Sequence, residues 1–176
     1  MKNENILIVH NYYQISGGED TVVANEIRLL KEHGHEVFLY TRNNSELKSF
    51  SKFRKLFLPI TTVFNPKTYK DVKKIIKENN IDVVHVHNTL NLVSPSVYYA
   101  ARNCKVPIVQ TVHNFRLLCP AATFYRDGNV CEDCVEKGLF CAVKNSCYRE
   151  SKLQTLVCVI STEIHRALKI YSKINY

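Results

Sequence analysis

Residues 6–40, ILIVHNYYQISGGEDTVVANEIRLLKEHGHEVFLY, alternate between apolar runs and a helical pattern. Residues 6–9 are large and apolar between polar neighbours, which predicts a short buried strand. Behind the pair Gly17-Gly18, apolar residues recur at the spacing of one helix face: Val23, Ile27 and Leu30. Gly34 stands where a helix C-cap belongs, and residues 37–40 predict a second strand. The segment therefore predicts a β-α-β unit.

The same alternation continues along the chain. Asn65-Pro66 and Ser94-Pro95 each combine a capping residue with a proline, which predicts helices to about residues 79 and 103. Residues 81–87 and 106–112 predict strands. The order β-α-β-α-β-α-β is typical of an α/β fold, a Rossmann-like parallel sheet flanked by helices. A last helix after Ser151 is indicated by an apolar stripe: Leu153, Leu156, Val157, Ile160, Ile164 and Leu168.

Composition narrows the class of protein. The chain has 176 residues, 45% hydrophobic and 23% charged, which favours one folded domain over a disordered chain. No apolar run approaches the ~20 residues of a membrane-spanning helix, and the start does not resemble a signal peptide. We therefore expect a cytoplasmic protein, with a peripheral position at the inner face of the membrane as the alternative.

The net charge of +8 is concentrated in one segment. Residues 45–80 contain nine Lys or Arg against three Asp or Glu. Such a local surplus predicts a local anionic partner surface and no nucleic-acid partner. Within it, residues 46–64 carry aromatic and aliphatic residues three or four apart with basic residues between them. We expect a basic amphipathic helix, either at an anionic membrane surface or facing the core with a solvated basic side.

Three loops follow predicted strands at the edge where ligands of parallel sheets bind. The first contains Gly17, Gly18 and Glu19, where glycine backbone and a helix start suit a phosphate, or where the chain simply turns. The second contains His87-Asn88 and the third His113-Asn114. His85 and His87 face one side of a strand, but no third metal ligand is near in sequence. We therefore expect His85 to be a hydrogen-bonding core histidine.

Five cysteines lie between residues 119 and 147, with the spacing C-x11-C-x2-C-x6-C-x5-C. Cys131 and Cys134 form one knuckle that suits tetrahedral zinc. Cys119 and Cys147 are the expected remaining ligands, with Cys141 as a substitute. Reduced loop thiols or a redox pair are the alternative.

These motifs together resemble the N-terminal half of GT-B glycosyltransferases, specifically the retaining group 1 or family 4 enzymes. The matching pieces are Gly17-Gly18-Glu19, DVVHVHN at 82–88, LVSPSVYYAAR at 92–102 and VPIVQTVHNFRLLCP at 106–120. RDGNVCEDCV and the later CYRESK resemble a cysteine-bearing subgroup. By this resemblance, we expect residues 1–176 to form one N-terminal domain with a cysteine-rich loop at about 117–149.

The resemblance implies transfer of a sugar from a nucleotide-sugar to a saccharide or lipid-linked acceptor with retained configuration, as in polysaccharide biosynthesis. His113 would lie beside the transferred sugar and assist catalysis, and the glycine loop would approach the donor phosphates. The acceptor side would be lined by His87, Asn88, Asn114 and Arg116. No cofactor or catalytic metal is implied, so any zinc at the cysteines would be structural.

The family's C-terminal nucleotide-sugar domain has no counterpart in these residues. A leaving diphosphate needs several preorganised donors, and one glycine loop supplies too few. We therefore expect the 176-residue chain to be inactive alone. The alternatives are a non-catalytic subunit that partners a separate donor-binding chain, and a zinc-containing nucleic-acid-binding module.

Overall fold

A computed structural model describes residues 3–15 and 17–175. Ser16, within the predicted glycine loop, and Tyr176 lie outside the described residues. The strands are β1 (Asn5–Tyr12), β2 (Glu36–Asn43), β3 (Val83–Val86), β4 (Ile108–Gln110), β5 (Tyr125–Arg126) and β6 (Asn129–Val130). The α-helices are α1 (Gly18–Glu32), α2 (Lys52–Leu56), α3 (Leu58–Val63), α4 (Pro66–Glu78), α5 (Ser96–Asn103), α6 (Asp133–Glu136), α7 (Cys141–Lys144) and α8 (Lys152–Ala167). 3-10 helices span Asn44–Ser49 and Tyr171–Lys173.

The chain forms two compact units. Residues 1–111 with 172–176 make the sheet unit, and residues 112–171 make the cysteine unit. In the sheet unit, four parallel strands lie in the order β2-β1-β3-β4, with Ile8 opposite both Leu39 and His85. This parallel sheet with its flanking helices confirms the predicted α/β, Rossmann-like class.

The first crossover is built as its periodicity predicts. One face of β1 places Ile6 and Ile8 against Val23 of α1, with partly buried apolar neighbours: Ile27, Leu30 and Val37. Gly34 follows the helix with a φ of +84°, a left-handed conformation that favours glycine and ends the helix. Burial of this apolar face fixes α1 on the sheet.

The two proline-marked helices begin close to where the sequence predicts. Asn65 caps α4, its side chain accepting from the N–H groups of Lys67 and Thr68. α5 starts one residue later than expected, since Pro95 is its N-cap rather than its first residue. Ser94 still accepts from the N–H of Ser96, so its hydroxyl serves the helix start.

The predicted amphipathic helix over 46–64 is wrong. The segment forms the 3-10 helix Asn44–Ser49, then α2, then α3. Ser51 caps α2, its side chain accepting from the N–H of Arg54. Pro59 sits at the start of α3, where its missing N–H is tolerated, but it cannot continue a helix from α2. The spacing of apolar residues fits the short helices α2 and α3, but Pro59 prevents them from joining into one long helix.

The last predicted helix exists as α8, capped by Ser151, but its apolar stripe is not the buried face. Leu153 and Leu168 are exposed. The buried residues are mostly small or polar: Thr155, Cys158, Val159, Ser161, Thr162 and His165. Thr155 and Thr162 donate their hydroxyls to carbonyls one turn earlier, at 2.7 and 3.0 Å, so burial leaves those groups satisfied. A pattern that counts only apolar residues cannot detect such a face.

Within the described residues, we find no helix with the length and apolar character needed to cross a membrane.

Candidate functional site

The end of β1 is tied to the loop after β3 at the carboxyl edge of the sheet unit. The N–H of Asn11 donates to the carbonyl of Asn88 at 2.9 Å, and the Asn88 side chain donates back to the Asn11 carbonyl at 2.9 Å. The Gln110 side chain, at the end of β4, donates to the His87 carbonyl at 3.1 Å. The ends of β1, β3 and β4 therefore meet at one edge, as the parallel sheet requires, and the His87-Asn88 site lies there.

The two glycines of the glycine loop border empty space, and the backbone conformation of the loop does not require glycine at either position. Gly17 and Gly18 are exposed, and neither has the positive φ that demands glycine. A Cβ built at either position meets no atom within 4 Å. Because chain reversal would accept a side chain here, the turn explanation does not account for the glycines. The free space beside the start of α1 suits close approach of a ligand to the backbone.

A buried histidine secures the start of α1. His10 continues the inward row of β1 and is fully buried, and its Nε2 lies 2.9 Å from Asp20 Oδ1. The other carboxylate oxygen of Asp20 accepts from the Gly17 N–H at 3.2 Å. One carboxylate therefore links the sheet interior to the glycine loop.

Asp20→Ala should destabilise the chain by about 2–4 kcal/mol, since it removes a helix cap and leaves a buried histidine nitrogen without its partner. Urea denaturation followed by circular dichroism measures this change. Asp71→Ala is the matched control, because Asp71 pairs with Lys67 on the surface of α4 and should cost less than ~1 kcal/mol. Equal effects of the two substitutions would contradict the role given to Asp20.

His85 and His87 face α1 and share Glu26. His85 Nδ1 lies 2.8 Å from one Glu26 oxygen, and His87 Nε2 lies 3.4 Å from the other. On its opposite side His85 Nε2 lies 2.8 Å from the Thr111 hydroxyl, which confirms His85 as a hydrogen-bonding core histidine. Burial raises the pKa of the Glu26 carboxyl. His87 is also buried, so its side chain contacts α1 inside the sheet unit.

Glu26 is the residue that sequence reasoning missed. No third ligand lies near the histidine pair in sequence, whereas α1 brings Glu26 to both rings. Glu26 lies three residues after Val23 and four before Leu30, on the helix face that packs on the sheet. In the sequence, the feature that could have identified Glu26 is its position as a carboxylate on the otherwise apolar face of α1.

The remaining predicted site residues lie in the cysteine unit, where His113 is half-buried. The Asn114 side chain accepts from the N–H of Arg116 at 3.0 Å. The Arg116 guanidinium donates to the Pro120 carbonyl and lies 5.0 Å from the centre of the Tyr148 ring. Asn114 and Arg116 thus organise the start of this unit, and their acceptor-side role stays a prediction.

The cysteine thiols of the cysteine unit are neighbours, but their sulfur atoms are too far apart to coordinate one metal ion as they stand. Cys134 and Cys147 pack beside the core of the cysteine unit, formed by Leu139, Ala142 and Val159. Burial, with the neighbouring thiols Cys119, Cys147, Cys141 and Cys131, raises the pKa of Cys134 to about 11. In the described part of the chain no three cysteine sulfurs lie within 4.8 Å of one another. The predicted structural zinc at Cys119, Cys131, Cys134 and Cys147 therefore stays a prediction.

Comparison with known proteins places these residues in a family. The family model described as Glycosyltransferase Family 4 matches residues 16–128, more than half of the chain. An alpha-monoglucosyldiacylglycerol synthase of Streptococcus pneumoniae (strain ATCC BAA-255 / R6) is 27% identical over 119 residues, covering 61% of this chain and 26% of that protein. The chain thus spans about a quarter of the length of this curated relative. The S. aureus MnaA–UDP co-structure is similar with a TM-score of 0.43 and 14% identity, covering 65% of this chain and 30% of that one.

Proposed function

Because this chain belongs to glycosyltransferase family 4, we propose that it is the acceptor-binding half, in a GT-B arrangement, of an enzyme that transfers a sugar from a nucleotide-sugar with retention. The observation that carries the proposal is the extent of the family match. Residues 16–128 include the glycine loop, His87-Asn88 and His113 to Arg116. Both loop sites of the sheet unit lie at its carboxyl edge, the ligand-binding edge of parallel sheets.

Of the two acceptor classes that the resemblance implies, a saccharide or a lipid-linked acceptor, we propose a lipid. The relative from S. pneumoniae is by its name a synthase of a glucosylated diacylglycerol. An enzyme with such an acceptor must reach a membrane surface, and the sheet unit presents one candidate surface for this.

This membrane-facing surface consists of α2 and the start of α3. Phe53 and Leu56 are each 72% exposed and Ile60 is 64% exposed. Exposed basic residues lie among them: Lys52, Arg54 and Lys55. Arg54 also lines a cavity of about 270 Å³, together with Arg42 and Lys67. Exposed apolar side chains beside cations fit an anionic bilayer, where the rings enter the interface and the cations meet headgroups.

The proposed function is tested by transfer itself. Purified enzyme, supplied with a donor-binding domain in the same or a separate polypeptide, is incubated with nucleotide-sugars and diacylglycerol in anionic vesicles. We expect nucleoside diphosphate release that depends on the lipid, with a product anomeric configuration equal to that of the donor by NMR. Release that is unchanged by the lipid, or an inverted product, would contradict the proposal.

Gly18→Ala should separate folding from donor binding. The substitution meets no atom within 4 Å and requires no unusual backbone, so stability should stay the same or rise by up to ~1 kcal/mol. If the donor approaches this loop, a methyl group should misplace it and lower kcat/KM by about 100-fold. Thermal unfolding and donor-dependent kinetics are measured on the same sample. A stable variant with unchanged kinetics would place the donor elsewhere.

A further inference from the structure

The histidine–carboxylate cluster of the sheet unit has the composition and spacing of a metal site. In the described residues, Glu26, His85 and His87 form a group whose ligand atoms all lie within 4.8 Å of one another. Two imidazoles and one carboxylate are a donor set that zinc uses in proteins. From this geometry we propose that Glu26, His85 and His87 bind a divalent zinc ion between α1 and β3.

The distances suit tetrahedral coordination. Bonds of ~2.0–2.1 Å place neighbouring donor atoms of a tetrahedron about 3.3 Å apart. The 3.4 Å between His87 Nε2 and Glu26 Oε2 is close to this edge. One ligand atom from each of the three residues lies within 4.8 Å of the other two, so small side-chain rotations bring three donors to one ion. Both imidazole rings contact the same carboxylate. They are stacked at 4.5 Å with 26° between their planes, so one ring rotates when both in-plane lone pairs bind a single ion.

Thr111 supplies the outer hydrogen bond that metal-bound histidines require. When His85 Nε2–H donates to the Thr111 hydroxyl, 2.8 Å away, the lone pair of Nδ1 faces Glu26. Without metal, a proton is shared between Nδ1 and the carboxylate. Zinc takes its place, and the proton is released to solvent. Water completes the fourth position, since three protein ligands leave it open.

The ion would join the two elements that carry the glycine loop and His87-Asn88. Glu26 belongs to α1, which begins at Gly18, and His85 and His87 belong to β3 and its end. A bound zinc therefore holds the start of α1 against the carboxyl edge of the sheet. This role is positional and does not depend on the proposed transferase activity.

The test uses the whole 176-residue chain, stripped of metal and then loaded with zinc. X-ray absorption spectroscopy distinguishes nitrogen and oxygen ligands at ~2.0–2.1 Å from thiolate ligands at ~2.3 Å. We expect one zinc equivalent with only nitrogen and oxygen neighbours, in addition to any zinc held by the cysteines. Zinc surrounded only by sulfur, or no bound zinc, would overturn the proposal and leave a plain ion pair at this position.

Glu26→Gln provides the second arm. The amide keeps the shape of the side chain but loses its charge, and we expect it to weaken binding at the nitrogen-oxygen site by more than about 100-fold. Thr111→Val should weaken it by about 10–100-fold, because it removes only the outer hydrogen bond. Glu32→Gln, on the exposed side of α1, is the matched control and should bind zinc like the wild type. Binding that Glu26→Gln leaves intact would contradict the site, and if this variant does not fold, the spectrum of the wild type alone decides.

Discussion

Exchange of His113 for alanine should lower the rate of sugar transfer by about 10²–10⁴-fold, the usual contribution of a general acid–base or positioning histidine. The resemblance to family 4 enzymes implies that this histidine would lie beside the transferred sugar, which stays a prediction. In this chain His113 is half-buried in the cysteine unit, three residues after β4 ends. Because the interaction would be made in the transition state, kcat should fall with kcat/KM, while donor KM changes little.

His33→Ala is the control for His113. His33 is exposed at the end of α1, where its ring contacts the Leu29 carbonyl at 2.8 Å, away from the carboxyl edge. The steady-state assay with donor and lipid acceptor is run on both variants, and thermal unfolding confirms that each is folded. A loss of less than about tenfold in His113→Ala, or an equal loss in His33→Ala, would remove His113 from the catalytic machinery.

The double substitution Phe53→Ser and Leu56→Ser should reduce binding to anionic vesicles by about 100-fold or more. Each large apolar side chain transferred from water into the bilayer interface contributes up to roughly 1.5–3 kcal/mol. Both residues are 72% exposed, so their removal should leave the fold of the sheet unit intact. Vesicle flotation with phosphatidylglycerol measures the change. Each exchange of Lys52, Arg54 or Lys55 for glutamine should weaken the free energy of vesicle binding by about a further 1 kcal/mol.

Leu153→Ser with Leu168→Ser is the matched control for the membrane-facing surface. These leucines are also exposed, but they lie at the two ends of α8 in the cysteine unit, Leu153 in its first turn and Leu168 as its C-cap. We expect the control to bind phosphatidylglycerol vesicles like the wild type. Equal binding of the wild type to neutral and anionic vesicles, or binding to neither, would exclude the membrane-facing surface from this role.

Much of the sheet unit was predictable, because its strands and first helix bury continuous apolar faces. The residues 6–9 and the stripe of Val23, Ile27 and Leu30 leave few alternatives to a β-α-β unit, and the caps at Asn65 and Gly34 mark helix boundaries by local chemistry. The prediction of one helix over 46–64 was wrong because a single residue outweighs the apolar pattern. The periodicity of this segment suits a helix, but Pro59 acts on one backbone hydrogen bond and overrides the pattern.

The candidate site was only partly predictable. Side chains that follow strands were identified, since parallel topology brings strand ends together. Glu26 was not, because its contact with His85 and His87 spans about 60 residues of sequence and exists only when α1 packs on β3. The open space at Gly17 and Gly18 is likewise visible only in three dimensions, as a glycine in sequence does not reveal its φ or its neighbours.

Sequence alone determined the four strands of the parallel sheet, the helices α1, α4, α5 and α8, and the family, since these depend on periodicity, caps and motifs that are local in the chain. Tertiary structure decided which face of α8 is buried, how the basic segment breaks, and which carboxylate meets the paired histidines. All three depend on how distant elements pack. The buried threonine hydroxyls of α8 donate to carbonyls of their own helix, so that face can be buried, and the partly buried Glu26 is paired with His85 and His87 from a distant part of the chain. Local sequence patterns specify the main strands and helices of this protein, and packing between distant residues specifies which side chains meet in its candidate site.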